Sequence, residues 1–146
     1  MGFYVCWFIA AVEDAKAIRS IATTKARKLD EWPHLILPGV DGPDMNKAEK
    51  FVRPRRPKGS AKIGGVLLDR GKMTEEPFTA VSQMNPEYLE ALVKLDETGL
   101  LAVAKQWSAS IDRVSEEAAA KLLRSMAELA KTATKSGKPV LELVVM

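Results

Sequence analysis

The hydrophobic positions of the chain form apolar runs at its two ends and periodic stripes in its second half. Residues 2–10 are rich in β-branched and aromatic side chains and lack polar alternation, which predicts a strand that is covered on both faces. Residues 140–146 form a second apolar run of this kind. Because an exposed edge of such composition would aggregate, we expect the two strands to be neighbours or near-neighbours in the centre of one sheet.

The second half of the chain predicts three helices. Residues 85–87 have the sequence Asn-Pro-Glu, a typical helix start that combines an N-cap residue, a proline in the first turn and an acid. The next helix carries Trp107 on its apolar stripe, so we expect this side chain to be buried between the helices and the sheet.

The last helix has the clearest amphipathic pattern. Ser115 is expected to cap it and Gly137 to end it. Leu122, Met126 and Leu129 share one side of this helix and are predicted to be buried. The polar residues predicted to be exposed on the opposite side include Lys121, Arg124 and Glu128.

The first half of the chain is less regular. A helix is expected to open at residues 13–14, and strands are expected at residues 34–37 and 63–69. Gly64 and Gly65 indicate a bulge or a close approach of two backbones near the start of the later strand.

Residues 38–62 contain four prolines and three glycines, and we interpret them as an irregular loop. Within this loop, residues 41–44 (Asp-Gly-Pro-Asp) are predicted to form a turn. A short helix at residues 44–51 and, further along the chain, a short strand at residues 78–82 are weaker alternatives.

These elements predict an α+β fold in one domain, residues 1–146, with a single small sheet covered by about four helices. The sheet contains the apolar N- and C-terminal strands. The expected order along the chain is β-α-β-β-α-α-α-β, with the irregular basic loop at residues 38–62 containing proline and glycine.

The composition is that of an ordinary globular protein. The 146 residues are 47% hydrophobic and 28% charged, so a core can form without a disulfide or a metal. Cys6 is the only cysteine and lies in the first apolar run, where we expect a buried and unreactive thiol. That run is too short to cross a bilayer as a helix, which takes about 20 residues. We therefore expect a cytoplasmic protein with no membrane partner.

No motif for catalysis, a cofactor or a metal is found in the sequence. His34 and Cys6 are the only histidine and cysteine, which excludes the usual zinc ligand sets. Gly71-Lys72 follows a predicted strand but lacks the other residues of a phosphate-binding loop. We therefore assign no catalytic, cofactor-binding or metal-binding residue, and we expect no cofactor.

Positive charge is concentrated in one segment. Residues 47–62 contain seven basic residues and a single acid, Glu49, whereas the whole chain has a net charge of only +3. The candidate residues for binding a partner or an anion are Lys50, Arg53, Arg55, Arg56, Lys58 and Lys62. Nearby prolines disfavour helix and strand, so we expect the three arginines to be exposed and mobile. The segment is either an anion-binding loop or a solvated connector.

Three classes of function remain open. The first is a non-enzymatic protein-binding regulator or inhibitor, for example a partner that neutralises a toxin. The second is a nucleic-acid-binding accessory protein that uses residues 47–62, and the third is an enzyme whose site assembles from dispersed residues. A homo-oligomer is compatible with each class. The lack of catalytic motifs favours the first.

Overall fold

The computed structural model describes residues 3–22 and 29–146, which form one five-stranded antiparallel sheet and five α-helices. The strands are β1 (Tyr4–Ile9), β2 (His34–Leu37), β3 (Val66–Arg70), β4 (Thr79–Gln83) and β5 (Val140–Val145). The helices are α1 (Ala15–Ile21), α2 (Gly42–Val52), α3 (Pro86–Lys94), α4 (Glu97–Ser110) and α5 (Glu116–Ser136). The predicted α+β class is confirmed.

The two terminal strands lie side by side within the sheet, whose order is β2-β1-β5-β4-β3. β1 pairs with β5 over its whole length, from Tyr4 opposite Val145 to Ile9 opposite Val140. Because β5 also pairs with β4, neither of its edges is open. The prediction that the apolar terminal strands are buried neighbours is confirmed.

Helices cover both faces of the sheet, which explains why β1 lacks polar alternation. Val5 and Trp7 face the core beneath α2, α3, α4 and α5, whereas Cys6 and Phe8 face the core beneath α1. All four side chains are fully buried. Burial raises the pKa of the Cys6 thiol to about 12, so little of the reactive thiolate forms near neutral pH.

Helix α5 begins and ends at the predicted residues. The Ser115 hydroxyl accepts a hydrogen bond from the Ala118 amide at 3.1 Å. At the other end, Gly137 adopts a left-handed φ of 71°, which a residue without a side chain does at no steric cost.

The buried side of α5 differs from the prediction by a rotation of about one residue. Met126 is fully buried as predicted, but Leu122 and Leu129 are only partly buried, and Leu123 is fully buried in their place. The other residues on the buried side are alanines: Ala119, Ala120, Ala130 and Ala133. Small side chains allow close packing of the neighbouring elements, so the larger leucines lie at the margin of the contact.

The interpretation of residues 38–62 as an irregular loop is wrong for its first part, which contains α2. Asp41 and Asp44 start this helix as a reciprocal capping pair. The Asp41 carboxylate accepts from the Asp44 amide at 2.8 Å, and the Asp44 carboxylate accepts from the Asp41 amide at 3.1 Å. Residues predicted to form a turn therefore begin a helix, and the irregular part of the segment is limited to residues 38–41 and the residues after Val52.

Two elements that the pattern gave only as weaker alternatives, α2 and β4, are therefore present. Helix α2 is held by Trp107, which is fully buried as predicted. The Trp107 indole N–H donates to the Asp44 carbonyl at 2.9 Å and so joins α4 to the first turn of α2.

The close backbone approach predicted for the two glycines is confirmed at Gly65. Its φ is 73°, and a Cβ atom at this position would lie 2.2 Å from the Gln83 carbonyl oxygen. Gly59 also has a positive φ, 90°, but a Cβ there would meet no atom within 4 Å.

We predict that Gly65→Ala destabilises the protein clearly more than Gly59→Ala. Both substitutions incur the cost of a left-handed backbone, about 1–2 kcal/mol, but only Gly65→Ala adds a steric clash with the neighbouring strand. Urea unfolding of the two variants measures the difference. Equal losses of stability would show that the backbone at Gly65 has room to move.

Candidate functional site

The basic part of the predicted loop at 38–62 is residues 54–62, which are called the basic loop from here on. It connects the end of α2 to the residues before β3. Its tip is a turn in which the Ser60 amide donates to the Pro57 carbonyl at 3.0 Å. Gly59 lies within this turn and supplies the left-handed conformation that it requires. The loop thus has a defined turn, and its two ends are fixed by side chains beneath it.

Arg53 lies at the first end of the basic loop, and its side chain is only 6% exposed. Its Nε atom lies 3.2 Å from Glu49 Oε2, at an angle that makes an ionic contact rather than a hydrogen bond. Its Nη1 atom donates to the Glu87 carboxylate at 2.9 Å, and its Nη2 atom donates to the Ala61 carbonyl. The guanidinium therefore links α2, α3 and the far end of the basic loop.

The prediction that Arg53 is exposed is therefore wrong. Arg53 follows Glu49 by four residues at the end of α2, so both side chains lie on the same side of the helix. The Glu49 side chain is only 2% exposed, and a buried carboxylate is costly unless a cation and hydrogen-bond donors surround it. This requirement places Arg53 in the interior.

Asn85 fixes the second end of the basic loop. Its side-chain amide donates to Glu49 Oε2 at 3.0 Å and also to the Lys62 carbonyl. Glu49 Oε1 in turn accepts from the Gly64 amide at 3.1 Å. Asn85 occupies the N-cap position of α3, but its side chain makes no capping hydrogen bond and serves the loop instead.

The other five candidate residues, Lys50, Arg55, Arg56, Lys58 and Lys62, are exposed. Arg56 Nη1 donates to the Arg53 carbonyl at 3.2 Å, and this neutral acceptor does not compensate the charge of Arg56. Within residues 3–22 and 29–146, no carboxylate forms an ion pair with any of the five. The structure thus separates one anchoring arginine from a group of uncompensated surface cations.

Another buried acid, which sequence reasoning missed, lies on the same side of the sheet as Glu49. Glu142 on β5 is 7% exposed, and its carboxylate accepts from the Trp7 indole N–H at 2.8 Å. Burial raises the pKa of Glu142 to about 7; the Trp7 hydrogen bond opposes the shift, and the charge of Glu49 adds to it. A lone acid in the apolar run at residues 140–146 was the available signal.

Tyr88 on α3 completes this internal polar group. Its ring packs edge-on against Trp7, with 5.8 Å between the ring centroids, and its buried hydroxyl has no hydrogen-bond partner among the described residues. Burial, together with the charges of Glu142 and Glu49, raises the pKa of the Tyr88 hydroxyl well above its usual value. The phenol therefore stays neutral at physiological pH.

A cleft of about 570 Å³ lies between α3 and the end of α5. Its lining includes the apolar side chains of Met84, Leu89 and Val93. Glu90 and Lys94 at this cleft pair with each other at 2.7 Å, which leaves no converging acid, base and nucleophile there. Nothing in the cleft therefore favours catalysis over binding.

No protein-family model, curated protein or solved structure matches this chain. In the part of the chain that the structure describes, no three or more His, Cys, Asp or Glu side chains are grouped to hold a metal ion. None of the described helices combines the length and the apolar character that crossing a membrane requires.

Proposed function

We propose that this protein is a non-enzymatic binding protein, a regulator or an inhibitor, that recognises an acidic surface of a partner protein through the basic loop. The observation that carries the proposal is the anchoring of both loop ends by Arg53, Asn85 and Glu49 beneath exposed, uncompensated cations. A solvated connector needs no such buried network. A loop that is already ordered loses less conformational entropy on binding, which favours affinity.

The surroundings of the basic loop favour a protein over a nucleic acid as the partner. Phe51, the aromatic residue closest to the loop in sequence, is partly buried against the core, which limits the ring surface on which bases could stack. Val66 and Leu67, which follow the loop, are 61% and 53% exposed. An apolar patch beside a charged rim is typical of protein–protein contacts.

The proposal is tested with the triple variant Arg55→Ser/Arg56→Ser/Lys58→Ser. The matched control is Lys105→Ser/Lys121→Ser/Lys135→Ser, which removes three exposed cations from α4 and α5. Wild-type protein is used to capture partners from the native host, and the captured partner is purified for kinetic measurements. At low salt, the loop variant should associate about tenfold more slowly than wild type, while the control stays within about twofold.

Wild-type association kinetics for the loop variant at low salt would refute the proposal. Capture of a nucleic acid in place of a protein would also refute the proposal, and the salt dependence of binding would identify this outcome. Binding to duplex DNA weakens with a log–log slope of about −0.9 for each phosphate that is neutralised.

A further inference from the structure

Strand β3, which follows the basic loop, is an open edge of the sheet. It pairs with β4 on one side, and no described strand lies on its other side. Consecutive residues of a strand point to opposite faces, yet both Val66 and Leu67 are more than half exposed. Met73, in the turn after β3, is 74% exposed. The edge therefore combines backbone groups that no described strand pairs with apolar side chains on both faces.

Positive charge flanks this open edge at both ends. Lys62 is exposed before β3, and Arg70 and Lys72 are exposed at its end. Asp69 on the strand and Glu75 after it are already paired with one arginine of α1, at 2.7 and 3.9 Å. A segment lying along β3 would thus meet cations at both of its ends.

We propose that the edge of β3 binds an extended acidic segment of the partner protein as a sixth strand, with the basic loop contacting its carboxylates. This inference rests on the proposed function and names the partner's chemistry and the binding mode. Backbone hydrogen bonds to β3 provide affinity in such strand addition, and alternate side chains of the segment contact Val66 and Leu67 on the two faces.

The charges favour an acidic partner segment over a second copy of this chain. In an antiparallel pair of β3 strands, the Lys62 end of one copy would lie against Arg70 and Lys72 of the other. Like charges placed opposite each other are destabilising, whereas an acidic segment neutralises both ends.

The test uses two fluorescein-labelled decapeptides that have Asp residues at both ends and Val residues in the middle, so that apolar side chains reach both faces of the sheet. One has normal amides, and the other is N-methylated at alternate residues, which removes donors along one edge and leaves the charge unchanged. Fluorescence anisotropy at low salt measures binding to wild-type protein, the loop variant and the lysine control variant. We expect the N-methylated peptide to bind at least about tenfold more weakly than the normal one.

The loop variant should also bind the normal peptide about tenfold more weakly, and the lysine control variant within about twofold of wild type. A structural measurement accompanies the affinities, because strand addition should slow amide hydrogen exchange within Val66–Arg70 when the peptide saturates the protein. The expected slowing is at least about tenfold for amides that face the open edge.

Equal binding of both peptides, weakened by the loop variant, would overturn strand addition and leave the loop as a contact surface. Weaker binding of the N-methylated peptide with no effect of the loop variant would overturn the acidic contact and the proposed function with it. The pairing of β3 with β4 shifts register between Leu67 and Asp69, and such bulges can protect an edge. If neither peptide binds at about 1 mM, the edge is protected in this way and the inference is overturned. A dimer formed through β3 would also overturn it.

Discussion

Replacing Arg53 with Met should destabilise the protein by about 3–5 kcal/mol, because it leaves the Glu49 carboxylate buried without its cation. The Glu49 and Arg53 side chains are 2% and 6% exposed, so water cannot replace the lost contact. The same substitution at Arg55, which is exposed, should change the free energy of unfolding by no more than about 0.5 kcal/mol. Urea unfolding at neutral pH measures both variants.

A double variant separates the ion pair from simple packing. Glu49→Gln removes the buried charge and keeps an oxygen that can accept from the Gly64 amide. Adding it to Arg53→Met should therefore cost less than the sum of the two single losses, with a coupling energy of about 1–3 kcal/mol. Strict additivity, or an Arg53→Met variant as stable as Arg55→Met, would contradict the role of Arg53 as an anchor.

Replacing Glu142 with Gln should stabilise the protein by about 3 kcal/mol more at pH 8 than at pH 4.5, because the ionised carboxylate is unfavourable in the interior. The pKa of Glu142 is raised from its usual 4.5 to about 7 in the folded protein, chiefly by burial. The folded state therefore binds the proton more tightly than the unfolded state. This contribution to stability is fully present below pH 4.5 and is lost as the pH rises through about 7.

Urea unfolding of wild type and Glu142→Gln across this pH range gives the measurement. The Gln side chain keeps an oxygen that can accept the Trp7 indole N–H. Glu128→Gln is the matched control, because that side chain is 75% exposed and its replacement should give no comparable pH-dependent gain. A difference between wild type and Glu142→Gln that is the same at both ends of the range would show that Glu142 is not buried as an acid.

Hydrophobic pattern predicted the parts of the fold that depend on burial along a whole strand. The apolar runs at residues 2–10 and 140–146 predicted covered strands, and the strands that lie within them, Tyr4–Ile9 and Val140–Val145, pair at the centre of the sheet. On α5, the periodicity did not show whether the side of Leu122 or the side of Leu123 is buried, because Met126 belongs to both. The buried side consists largely of alanines, so large apolar residues did not mark it. The start of α2 was missed because an Asp-Gly-Pro-Asp sequence favours a turn as well as a capped helix.

The charge of the candidate site was predictable from the sequence, but the direction of each side chain was not. Arg53 and Arg55 have the same chemistry and lie two residues apart, yet one is buried and the other exposed. The spacing of Glu49 and Arg53 by four residues was the signal for a pair on α2, and it only becomes informative once that helix is recognised. Asn85 contacts Glu49 although the two residues are 36 positions apart in sequence, and no local pattern encodes such a tertiary contact.

Backbone ¹⁵N order parameters measure directly whether the basic loop is held in place as a contact surface. If Arg53, Asn85 and Glu49 fix the loop, residues 58–62 of the wild-type protein should have values near 0.85, as in rigid backbone. In the Arg53→Met variant, provided that it folds, the values should fall toward those of a flexible segment. Wild-type values below about 0.6 would instead show that the loop is a mobile connector that the three side chains do not fix.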